Sequence, residues 1–140
     1  MKKKKLPRTH RNYRRGADAE RRAKLDLLKP PSTAHPIFRL GAHSVLRAAG
    51  SKGEWDLAAQ CAHNDLWLQV KSAPDLKRGM RELNKLGRWL ARYAKPVPSQ
   101  RYLAGLVWVP RVGWLVAARY SPGKVVLSEN AYPSRTEKSE

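Results

Sequence analysis

Cysteine is nearly missing from this chain, with Cys61 alone among 140 residues. A single thiol excludes an intramolecular disulfide and a cysteine-based zinc site, and it points to a reducing, cytoplasmic setting. Cys61 itself is expected to serve as a small buried hydrophobe. Long apolar runs are missing too: nowhere do 18 hydrophobic residues follow one another, so no membrane-spanning helix is expected. The basic opening "MKKKK" leads into "LPRTHRNYRRG" rather than an apolar stretch, and so does not read as a secretory signal. Histidines are few and scattered, at His10, His35, His43 and His63, with no spacing suited to a metal. Acids are scarce: 11 Asp and Glu stand against 29 Lys and Arg, a formal charge of +18. Such a surplus says nothing about fold, but it favours a polyanion as partner. A ribosomal or histone-like protein would share it, so charge alone does not separate an enzyme from a scaffold.

What is present suffices for one domain of ordinary size, with 41% hydrophobic residues, five Trp and five Tyr. Residues 1–15 carry eight Lys and Arg, no acid and no apolar period, which predicts a flexible basic arm able to lie on phosphates, Arg14 and Arg15 included. The folded domain is expected over 16–132, followed by a short polar tail, 133–140. Residues 16–29, "GADAERRAKLDLLK", are rich in helix formers and are stopped by Pro30 and Pro31. On that helix Glu20, Ala23 and Leu27 share a face. A glutamate at the edge of a packing face needs a neighbouring cation or a metal; the plainer alternative is a solvated Glu paired with an adjacent Arg.

Strands are expected at 43–49, 54–61 and 65–72, the last two forming an antiparallel hairpin around "AHND". In "DLWLQVKS" the period of two places Leu66, Leu68 and Val70 on the core face, and Trp67, Gln69 and Lys71 on the other. Residues 74–96 give the clearest helix, with Leu76, Met80, Leu83, Leu86, Leu90 and Tyr93 as its packing stripe. Arg78, Arg81, Lys85, Arg88 and Arg92 form a second stripe at spacings of 3, 4, 3 and 4. Like charges in line repel, and a merely solvated face normally mixes signs, so this stripe reads as a ridge for phosphates. A second hairpin, 101–110 with 113–120, and a short strand, 124–128, complete the chain. Trp108 and Trp114 are expected to pack rather than to stack on bases.

Asp56 and Gln69 lie on paired strands and can converge across the hairpin. Together with the Val70 carbonyl they offer the hard oxygen ligands that Mg²⁺ prefers, and Mn²⁺ would substitute. Lys71, on the face of Gln69, can orient an attacking water or balance charge on a phosphate. That is the chemistry of phosphodiester hydrolysis.

The ordered set of Glu20, "RAAGS" at 47–51, Asp56 and "QVKS" at 69–72 resembles the archaeal-type Holliday junction resolvases of the PD-(D/E)xK nuclease superfamily, and "RGADAERR" resembles their opening segment. The interval of thirteen residues from Asp56 to Gln69 matches that family's spacing. The resemblance spans about residues 12–95 and departs from the pattern in having Gln69 for a glutamate and "EWD" for "PD". Glu54, two residues before Asp56, is a candidate compensating ligand.

The resemblance implies an α/β fold with a mixed central β-sheet flanked by helices, and a homodimer. It also implies a divalent-metal endonuclease that resolves four-way junctions in branched DNA by paired cuts, an activity that phages use. It assigns Glu20 to a second metal or water, Ser51 to the phosphate (a turn residue otherwise), and Arg47, with Lys52, to the DNA backbone. A less selective endonuclease of the same superfamily, or a non-catalytic nucleic-acid-binding protein with a degenerate site, are the alternatives.

Overall fold

Residues 65–72 alternate between two faces as their sequence predicts, and both faces are covered. The structure, a computed structural model, describes the backbone of residues 8–30, 34–47, 55–121 and 124–133, and side chains over 16–30, 34–47, 55–120 and 124–127. In chain order the elements are α1 (Arg8–Leu28), a 3₁₀ turn (Pro36–Arg39), β1 (Ser44–Arg47), β2 (Leu57–Gln60), β3 (Asp65–Ser72), α2 (Leu76–Arg92), β4 (Arg101–Val109), β5 (Gly113–Ser121) and β6 (Lys124–Pro133).

The strands form one mixed six-stranded sheet in the order β1-β2-β3-β4-β5-β6. Neighbours are antiparallel except β3 and β4, which run parallel. A parallel pair needs a long crossover, and α2 supplies it. The expected mixed sheet flanked by helices is therefore present, and so are both hairpins. Leu57 pairs with Leu68 and Ala59 with Leu66, which sets the register of the first hairpin.

Two cores lie on opposite sides of this sheet. On one, Ala19, Ala23 and Leu27 of α1 meet Leu66, Leu68, Val70, Leu106 and Trp114. On the other, Leu83, Leu86 and Leu90 of α2 cover Leu103, Val107, Leu115 and Ala117. Trp114 is fully buried and its Nε1 donates to Asp26 Oδ2 at 2.8 Å, so it packs as expected. Cys61 is buried; burial, and then the charge of Asp65, pushes its thiol above the ordinary range.

Several expectations change. The first helix begins at Arg8, not at residue 16, and so includes half of the segment read as an arm. Charge density argued against order there, but "RTHRNYRR" holds no helix breaker and simply prolongs the helix that follows. The second helix starts at Leu76, where Asp75 caps it by accepting a hydrogen bond from the Arg78 N–H at 2.8 Å. Leu76 is 40% exposed and stands outside the packing stripe. The last strand runs to Pro133 rather than ending at 128. The 3₁₀ turn was not expected. Its Ile37 and Phe38 are fully buried, and His35 Nδ1 accepts from the Ile37 N–H at 3.0 Å.

Candidate functional site

Asp56 sits immediately before β2. Its N–H donates to the Leu68 carbonyl at 2.8 Å, and its Oδ2 accepts from the Val70 N–H at 2.8 Å. The side chain thus bridges to β3, beside Gln69, as the hairpin pattern suggests. Glu20 arrives from α1, half-buried, with Arg47 Nε of β1 at 3.2 Å from its Oε1. Burial, and next the nearby charge of Asp56, push the Glu20 carboxyl above the ordinary carboxylate range; Arg47 works in the opposite direction. The question posed by a glutamate on a packing face is answered here by a cation from the edge strand. Ala17, Glu20, Arg21, Lys24, Arg47 and Leu57 line a cavity of about 280 Å³ at this place.

Gln69 and Lys71 stand differently. They alternate with Leu68 and Val70, which pack beneath α1, so they project to the face covered by α2. Glu20 and the Gln69–Lys71 pair therefore belong to opposite faces, and Asp56 lies between them at the level of the sheet. Trp67, expected on a chemical face, instead packs into the second core, with the Arg101 guanidinium 3.8 Å from its ring centre. The candidate residues Ser51, Lys52 and Glu54 lie outside the described residues, as do the side chains of Arg14 and Arg15.

The expected metal centre is corrected. Among the described residues no group of three or more His, Cys, Asp or Glu could hold a metal ion. A Mg²⁺ or Mn²⁺ site built from Asp56, Gln69, the Val70 carbonyl and Glu20 is therefore not supported, Glu54 lying outside the described residues. Of the described ligand candidates, two are acids, Glu20 and Asp56, close enough for the charge of Asp56 to act on Glu20. Arg47 already supplies a positive charge beside Glu20, an Asp56 oxygen is engaged by the Val70 N–H, and Gln69 is uncharged.

The ridge of cations is better formed. Arg78, Arg81, Lys85, Arg88 and Arg92 are all exposed, on the side of α2 opposite Leu83, Leu86 and Leu90. Fourteen helical steps separate the first from the last, about 21 Å at 1.5 Å per residue. Glu82 lies 3.7 Å from Lys85, an exposed pair that offsets little of the charge.

Sequence reasoning missed what stands at the end of this ridge. Trp89 and Tyr93 are half-buried and pack on the buried Trp55, with ring centres 5.0 and 5.3 Å away. Arg119, a buried residue of β5, donates to the carbonyls of Leu90 at 2.7 Å and Tyr93 at 2.8 Å and so closes the helix. Of the two, only Tyr93 carried an expectation, as a member of the packing stripe. No protein-family model matches the chain, and no curated protein matches it either.

Proposed function

We propose that this protein is a structure-selective DNA-binding protein that holds branched DNA, such as a four-way junction, by its phosphates on a scaffold of the PD-(D/E)xK type. The observation that carries the reading is the exposed line of Arg78, Arg81, Lys85, Arg88 and Arg92. At 3.4 Å per base pair, a ridge of about 21 Å follows roughly six base pairs. Flexible cations at this spacing meet phosphate oxygens rather than base edges, so recognition rests on the course of the backbone, not on sequence. The sequence-wide surplus of +18 adds a long-range attraction for the same ligand.

A second reading, strand cleavage on the same scaffold, draws on one observation: Glu20 lies close enough to Asp56 for its carboxyl to be raised by that charge. A carboxyl held above its ordinary range beside a second carboxylate is a familiar general-acid arrangement. One experiment separates the readings. A labelled four-way junction and a linear duplex of the same sequence are titrated with protein, and the strands are then run on a denaturing gel. The binding reading expects the junction to be held roughly tenfold tighter or more, with strands intact. Equal affinity for both DNAs contradicts selectivity, and cut strands favour the second reading.

A further inference from the structure

We propose that the Trp89–Tyr93 face takes an unpaired nucleobase from a strand whose phosphates lie along the α2 ridge. This rests on the DNA-binding reading above and goes beyond it, because a phosphate ridge alone is indifferent to whether bases are paired.

Trp89 follows Arg88 and Tyr93 follows Arg92, so each ring is turned about 100° from its cation around the helix. The aromatic pair accordingly flanks the ridge at its C-terminal end. Trp89, Arg92, Tyr93, Ala94, Lys95 and Pro96 line an open groove of about 630 Å³. No acid is among these residues. The groove therefore offers ring faces and a cationic rim, which suits a flat apolar heterocycle tethered to a phosphate.

The rings are also held in place. Trp89 and Tyr93 lie 5.4 Å apart between centres, and both meet the buried Trp55 edge-on. Trp55 Nε1 donates to the Tyr93 hydroxyl at 3.4 Å, and behind Trp55 stands Trp67, 5.8 Å away, with Arg101 over its ring. Arg119 fixes the backbone at Leu90 and Tyr93 from below. Rings fixed before the ligand arrives lose little freedom on binding, which favours their use as a platform. Trp89 and Tyr93 pack against the core formed by Leu83, Leu86 and Leu90 but are only partly buried there, so each keeps an exposed part.

A base inside a duplex has neighbours on both faces and cannot reach this groove. An unpaired base at a branch point or on a single-stranded arm can. The test compares wild-type binding to a single-stranded oligonucleotide and to one of equal length with abasic sites throughout. Loss of the bases is expected to weaken binding by about tenfold. Trp89→Leu is expected to weaken binding to the complete strand by a similar factor, to abolish the difference between the two strands, and to leave duplex affinity unchanged. Equal wild-type affinity for the two strands overturns the inference. That comparison needs no variant, so it decides even if Trp89→Leu fails to fold. Failure of the protein to bind any of the three DNAs would instead overturn the DNA-binding reading on which the inference rests.

Discussion

Glu20 carries the clearest electrostatic consequence of any single residue. Its carboxyl is raised above the ordinary 4.5 by burial and then by Asp56, against the opposing pull of Arg47. A raised acid favours the folded state most when protonated. That contribution is fully present below the unfolded pKa and is lost as pH rises through the folded one. Ionised Glu20 therefore weakens the fold at neutral pH. Glu20→Gln is expected to melt a few degrees higher than wild type at pH 7 and to match it near pH 4, as read from thermal unfolding at the two values. A variant less stable than wild type at pH 7 would mean that the Arg47 contact outweighs burial and repulsion. That Glu20 needed a partner was legible from its place beside Ala23 and Leu27. That the partner is Arg47 was not, because the contact depends on where α1 crosses the sheet edge.

The helix α2 owes its seating to a close approach that no hydrophobic pattern announces. A Cβ built on Gly105 of β4 would lie 2.8 Å from Leu86 Cδ1 and 3.0 Å from Leu86 Cβ. Gly105→Ala should push α2 away from the sheet and destabilise the protein by about 1–3 kcal/mol, measured by denaturant unfolding. An unchanged midpoint would show that Leu86 can swing aside freely. Periodicity located this helix and most of its buried side, since Leu83, Leu86 and Leu90 recur at helical spacing. It overlooked Gly79 and Gly87, which are buried on the same side, because a glycine carries no apolar signal. It also overlooked Arg119, whose charge suggests a surface residue until its two carbonyl partners are seen. The extension of α1 back to Arg8 escaped for the converse reason: a run of cations looks unstructured when read for charge alone.

Across the whole molecule, the decisive feature is that α1 and α2 cover opposite faces of one sheet. Alternation along β3 separated Leu68 and Val70 from Gln69 and Lys71 correctly, but it could not say which helix each set would meet. The metal centre expected to draw on both Glu20 and Gln69 depended on that missing fact. The exposed ridge on α2 required no such knowledge, because a helix face opposite its own apolar stripe must point outward. Its role is also the most directly measurable. Removing one cation from the phosphates lowers the slope of log affinity against log salt by roughly 0.9, so an Arg78→Ala, Arg81→Ala double variant should reduce the slope by about 2. Salt-titrated binding of a four-way junction by wild type and by this variant supplies the comparison. A slope reduced by about that amount, with weakening independent of junction sequence, is the result expected of a phosphate-holding ridge. A variant whose affinity and slope both match wild type would contradict it, leaving the five cations as a solvated face.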